Sequence, residues 1–276
     1  MRNRIVAKTI SELPILSKED RWLVDGIIPV GTTCVAGMPK TKKTFWCLSL
    51  CLGLATQKAF LGKWNVPRAR RVIYIAGEGE GVIGERLRGL ARGHGIGESD
   101  LSNLFVVTGE QLSLTSAADR QRLREVVVET KAEVVCLDPW ARFLCGASES
   151  STEQMAEILG FLKSLQDELG VSWIIVHHLR KATRAKPTGA DLRGSGQLHS
   201  WVDCTVLLRN RDNQILMDVE SRHSEGVADV PLMLYSSSGG AFCFRATSDD
   251  LRPMTSENGK RIFRCRLIAI HGKVAA

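Results

Sequence analysis

No stretch of this sequence is apolar for long enough to cross a bilayer. The longest such run, Phe45 to Ala55, is about half of the roughly 20 residues a spanning helix needs, and it contains Ser and Gly. The N-terminus, MRNRIVAKTISELPILSKED, has no apolar stretch followed by a small-residue cleavage site, so a cytoplasmic location is expected. Repeats and low-complexity tracts are missing, as is any C-x-x-C pair. The eight cysteines (Cys34, Cys47, Cys51, Cys136, Cys145, Cys204, Cys243 and Cys265) are scattered mostly through apolar segments and read as buried thiols rather than a disulfide framework. Cys47 and Cys51 share a helix face, but two thiolates without a nearby His make a poor zinc site. An excess of one charge is nearly lacking too: 37 Lys+Arg against 30 Asp+Glu give +7 and a pI near 9.1. With 44% apolar and 24% charged residues, disorder, collagen and coiled-coil arrays are excluded, and one folded domain over residues 1–276 is expected.

What is present alternates. Short apolar or β-branched runs at Thr32–Ala36, Arg71–Ala76, Leu104–Val107, Glu133–Leu137 and Ser172–Val176 read as strands buried on both faces. Helical patterns separate them at Lys43–Gln57, Val82–Gly93, Ala117–Thr130 and Ser151–Leu169. This predicts βαβ units, hence an α/β fold with a mostly parallel central sheet flanked by helices. From Trp201 the runs Val202–Leu208, Gln214–Glu220, Val230–Tyr235 and Ala241–Arg245, divided by turn signals, predict a C-terminal antiparallel extension of the same sheet. The long loop His178–Gly196 carries Arg180, Lys181, Arg184, Lys186 and Arg193 against Asp191 alone, a density that favours contact with phosphates.

Three strand ends carry chemistry. The first strand runs through Gly37-Met38-Pro39-Lys40-Thr41-Lys42-Lys43-Thr44 into a helix, the strand–loop–helix context of a phosphate-binding P-loop. Gly37, Lys43 and Thr44 meet the pattern, while Lys42 stands where its second glycine belongs and must adopt a glycine's backbone geometry. In such loops backbone N–H groups hold phosphates, the Lys reaches the β- and γ-phosphates and the Thr hydroxyl ligates Mg²⁺. The second strand opens into Gly77-Glu78-Gly79-Glu80-Gly81-Val82-Ile83-Gly84, which reads as a dinucleotide fingerprint at Gly79, Gly81 and Gly84, as an acidic turn, or as the seat of a base, Glu78, that orients water. Glu133–Asp138 ends in a carboxylate placed to hold Mg²⁺, and Ser172–Val176 ends in His177-His178, whose imidazoles point to opposite faces.

In this order and spacing, WLVDGIIPVGTTCVAGMPKTKKT, VIYIAGEGE with ERL, VVCLDPWARF, IIVHHLRK and ADLRGSGQLHSWVDCTVLLRN resemble RecA-like P-loop ATPases of the RepA group of hexameric helicases. The DLRGSG tract and LLRN are also similar to the helicase domain of phage primase-helicases. The resemblance covers about residues 20–225 and leaves 226–276 as an extension. It implies ATP and Mg²⁺ as cofactors, held by Gly37, Lys42, Lys43, Thr44 and Asp138, with Thr44 and Asp138 on the metal. It further implies Glu78 as the catalytic carboxylate, His178 as a sensor of the γ-phosphate and Arg222 as an arginine finger that completes a neighbour's site. A homo-oligomer, a hexameric ring, would then act on single-stranded DNA through Arg180, Lys181, Arg184, Lys186 and Arg193, with a loader or initiator protein as a further partner. Two positions depart from the family, Lys42 in the P-loop and Glu220, where related helicases often carry Lys, and they keep two alternatives open: an ATP-dependent recombination or regulatory ATPase without unwinding, and a degenerate nucleotide-binding scaffold.

Overall fold

The chain is described by a computed structural model over residues 7–180, 186–194, 196–212, 214–237 and 239–247. Met1–Ala246 form one compact unit; of the second, Thr247–Ala276, only Thr247 is described. A short helix, α1 (Lys18–Arg21), leads into the small hairpin β1 (Trp22–Val24) and β2 (Ile28–Pro29). Alternation then sets in: β3 (Thr32–Gly37), α2 (Lys43–Thr56), β4 (Val72–Ala76), α3 (Glu80–Gly93), β5 (Leu104–Val107), α4 (Ala117–Thr130), β6 (Val134–Asp138), α5 (Thr152–Leu169), β7 (Ser172–His178), α6 (Gly196–Trp201) and β8 (Cys204–Arg211). Three more strands follow, β9 (Gln214–Ser221), β10 (Val227–Ser236) and β11 (Phe242–Ala246). Serine side chains fix three of the helix starts: Ser17 Oγ accepts from Asp20 N at 3.1 Å ahead of α1, Ser116 Oγ from Asp119 N at 3.3 Å ahead of α4, and Ser151 Oγ from Gln154 N at 3.4 Å ahead of α5.

Nine strands form one sheet in the order β11-β10-β9-β8-β3-β7-β6-β4-β5. All neighbours from β8 to β5 are parallel. The antiparallel extension therefore begins one strand later than the sequence suggests: β8 lies parallel to β3, and only its other edge pairs antiparallel, with β9.

Strand parity divides the core in two. Val35, Tyr74, Cys136 and Ile174 join α2 and α3 on one face, while Cys34, Ile73, Val135 and Trp173 join α4 and α5 on the other. α2 is buried almost all round. Its Cys47 and Cys51 lie against Cys136 of β6; burial pushes the Cys47 thiol up to about 11 and the Cys136 thiol well up, and the hydrogen bond with Cys136 together with burial does the same to Cys51, so these thiols are inert at neutral pH. Cys34, Cys204 and Cys243 are likewise buried; Cys145 is exposed, which corrects the reading of all eight as interior, and Cys265 lies outside the described residues.

Glu133 ties the starts of β4 and β6 together, accepting from Arg68, from Arg70 Nη1 at 3.4 Å and from Arg71 N at 3.2 Å. Burial raises its carboxyl, but these hydrogen bonds and the two guanidinium charges outweigh that and hold it below its ordinary value of 4.5. Its stabilisation is accordingly full above that value and disappears as pH falls through the lowered one. Glu133→Gln is expected to lower unfolding stability by about 1–2 kcal/mol at neutral pH, and urea titrations of the two proteins should converge as pH falls through the lowered value of the Glu133 carboxyl.

Candidate active site

The same parity that builds the core aims the chemistry. Asp138 follows Val134 and Cys136, and His178 follows Ile174 and Val176, so both point to the α2 face, where the loop before α2 lies. His177 has the opposite parity and is buried, its Nε2 against Arg193 O at 2.8 Å. The register sets the heights. Gly37 sits level with His178, and Asp138 sits level with Ala76, two residues short of Glu78. Asp138 thus lies about 7 Å deeper, at the floor of a crevice whose rim is the loop, His178 and Glu78.

Gly37 is needed for close approach, since a Cβ there would stand 2.5 Å from Leu208 O and 2.6 Å from Thr41 Oγ1. Beyond it the loop turns twice through the left-handed region, at Lys40 (φ 69°) and Lys42 (φ 64°). Lys42 has taken the glycine conformation that its position demands, at a cost of about 1–2 kcal/mol. It is also the N-cap of α2 and gives no side-chain cap, leaving the first N–H groups of a 14-residue helix to an anion. Lys43 is 8% exposed, and its ammonium donates to Gly37 O at 2.8 Å and Met38 O at 3.0 Å. Burial lowers its pKa, with the nearby Asp138 pulling the other way.

Asp138 is 5% exposed and accepts from Tyr74 Oη at 2.6 Å and from the Thr44 hydroxyl. Burial pushes its carboxyl up, opposed by those two hydrogen bonds and by the Lys43 charge. One carboxylate beside one hydroxyl is an all-oxygen donor pair, and no cluster of three or more His, Cys, Asp or Glu stands ready for a metal among the described residues. That suits Mg²⁺, which keeps most of its shell in water and phosphate oxygens.

Glu78 stands on the rim, its Oε1 accepting from Arg142 Nε at 2.7 Å, with both side chains more than half exposed. Gly79 is the N-cap of α3 and Gly81 and Gly84 lie within it, so there is no glycine loop for a dinucleotide. His178 is half-buried, and burial together with the Lys43 charge lowers its pKa, which keeps a neutral imidazole facing the crevice. Tyr74 and Arg142 are the groups that sequence reasoning missed. Tyr74 shares strand parity with Glu78, a usable signal; Arg142 follows Asp138 at a spacing that only the turn of Trp140–Leu144 converts into proximity.

Of the five basic residues of the loop after β7, the three that are described are each held by a neighbour. Arg180 donates to Gly194 O, and Arg193 pairs with Glu149 at 3.3 Å. Lys186 is held by Asp229 at 3.0 Å and Asp218 at 3.4 Å, in a cluster with Arg209 on β8. Lys181 and Arg184 lie outside the described residues. Arg222 is exposed at the far end of the sheet. It follows Ser221, which pairs with Cys204 at the start of β8, whereas Gly37 pairs with Leu208 four residues along, a separation of about 13 Å along the strands. Its guanidinium donates to Ser200 O, and its N–H to Asp203 O at 3.0 Å. Glu220 accepts from Gly189 N at 3.0 Å and so braces the loop instead of facing outward as a free charge.

A family model described as an AAA domain matches residues 9–184, well over half of the chain. No curated protein matches it. Among solved structures, the fold is similar to that of a KaiC-like protein from the hyperthermophilic archaeon Pyrococcus horikoshii OT3, with a TM-score of 0.53 over 80% of this chain and 93% of that one. The identity is 14%, so this likeness is one of fold.

Because Lys42 already occupies the left-handed region, Lys42→Gly relieves local strain without moving the loop. ATP affinity measured by calorimetry is expected to hold or rise. A tenfold loss would instead identify the Lys42 ammonium as a phosphate ligand.

Proposed function

The chain belongs to the AAA-domain family of RecA-like P-loop ATPases, and from that premise we propose that it works as an oligomer, hydrolyses ATP between subunits and acts on single-stranded DNA as a replicative type of helicase. The observation that carries this reading is the separation of Arg222 from Lys43, Thr44 and Asp138 by the length of the parallel strands. A finger at one end of the sheet and a phosphate loop at the other can meet only between two copies arranged head to tail, an arrangement that closes into a ring or continues as a filament.

In this reading the bare N–H groups ahead of α2 receive the phosphates, and Lys43 exchanges its two loop carbonyls for phosphate oxygens. Thr44 and Asp138 would hold Mg²⁺, which when bound would neutralise charge on the phosphates. Glu78 orients the attacking water once Arg142 gives up its carboxylate, and the exchange is easy because an exposed ion pair contributes at most about 1 kcal/mol. His178, which the register sets level with Gly37, would sense the γ-phosphate. A neighbour's Arg222 then supplies a planar fork for the phosphate oxygens. The DNA would run along the loop after β7, with a loader or initiator protein as partner.

A rival reading, an ATPase that assembles in recombination or regulation without unwinding, gains from the ion pairs of Lys186 and Arg193, which leave fewer free cations on that loop.

Three measurements test the proposal. Lys43→Ala should fold and lose ATP turnover by well over tenfold; unchanged turnover removes the site. Arg222→Ala should assemble and bind ATP while losing about 10³-fold in turnover. Mixed with Lys43→Ala, it should recover activity, because a mixed interface joins an intact loop to an intact finger. Absence of recovery in a mixture shown to exchange subunits would confine Arg222 to its own chain. For DNA, the slope of log affinity against log salt should be about −0.7 per phosphate neutralised, and Lys181→Ala with Arg184→Ala should flatten it by about one unit or more. An unchanged slope would favour the rival reading.

A further inference from the structure

The sheet extension ends beside the P-loop helix. β11 is the last strand on one edge of the sheet, and from there it packs against α3 and the start of α2. Arg92 Nη2 of α3 donates to Gly240 O at 2.9 Å, and Ala246 N donates to Leu61 O at 3.0 Å. Two glycines one turn apart make room for this. A Cβ on Gly89 would overlap the Phe242 ring, and a Cβ on Gly93 would overlap the Phe242 carbonyl. Glycine is a poor helix residue, so two of them on one face of α3 mark a notch cut for β11.

The notch delivers one ring to one place. Phe242 packs edge-on against Phe45, with centroids 5.4 Å apart at 74°, and both rings are only half-buried. Phe45 directly follows Lys43 and Thr44 on the first turn of α2. The Arg86 guanidinium of α3 lies over its ring at 5.4 Å, and Lys42 Nζ lies at 6.0 Å. Two accessible rings and the Arg86 guanidinium beside a phosphate-binding turn form the surface on which a nucleobase stacks: a π-face and a planar cation that also stacks, a mode of contact that tolerates any base.

We infer that Phe45, Arg86 and Phe242 form the nucleobase side of the nucleotide site, so that the C-terminal extension is part of that site and supplies affinity for the base without choosing its identity. This rests on the nucleotide-binding reading above and adds to it the residues that meet the base. Gly89 is in this account a positioning residue, acting through Phe242.

Inorganic tripolyphosphate carries the phosphates without a base, and comparing it with ATP isolates the platform. Calorimetric titration of both, with Mg²⁺, is done on the full chain and on Phe242→Leu and Gly89→Ala. Leucine keeps the apolar packing and removes the ring, while the Gly89 substitution keeps the ring and displaces it. Each variant should lose ATP affinity by about tenfold, since stacking on one aromatic contributes on that scale, and GTP affinity by a similar factor, with tripolyphosphate affinity within about twofold of wild type. The inference is overturned if ATP affinity is unchanged in both variants, or if ATP and tripolyphosphate weaken equally, which would make the rings structural supports of the loop. Failure of the wild type to bind either ligand would instead overturn the nucleotide reading itself, and this inference with it.

Discussion

Asp138 is a carboxylate taken almost wholly out of water, and the arrangement of the crevice follows from that. An ionised carboxylate at such depth needs partners, and the strand parity that put it on the α2 face also supplies them: the Tyr74 hydroxyl from β4, the Thr44 hydroxyl and the Lys43 charge from the start of α2. Each partner is itself buried or held, Lys43 by two loop carbonyls and Tyr74 within the core of α2 and α3. A change in any one of them is therefore felt at the others. The cluster is pre-built on rigid elements, and only its rim, Glu78 with Arg142, rests on exposed contacts that exchange with little loss.

Much of this was legible in the sequence, for a physical reason. Parallel strands buried on both faces are near-continuous apolar runs, and a charged or polar residue that interrupts such a run at its C-terminal end has few places to go but the crevice. That is why Gly37, Asp138 and His178 stood out, and why His177 and His178 could be told to face apart. The left-handed backbone at Lys42 was likewise foreseeable, because the turn fixes the geometry and the residue must comply.

The rest depended on contacts between segments far apart in the chain, for which a single sequence carries little signal. Tyr74 became a partner of Asp138 only through the register of β4 with β6. The ion pairs of Lys186 arise from a bulge between β9 and β10 that turns Asp229 toward the loop; charge density alone read the same lysine as free for DNA. The packing of β11 onto α3 was hidden for a different reason: Gly89 and Gly93 look like ordinary weak points in a helix until Phe242 is seen lying against them. Cys145, in an otherwise apolar segment, is exposed because the chain turns at the strand ends there.

The central claim is that a single copy holds an incomplete site, its phosphate loop and its Arg222 being at opposite ends of one sheet. The most direct test is ATP turnover per subunit as a function of protein concentration, with the oligomeric state followed by sedimentation on the same samples. Turnover per subunit should be nearly absent where the chain is monomeric and should rise in step with assembly. Turnover that stays constant down to concentrations at which only monomer sediments would contradict the account.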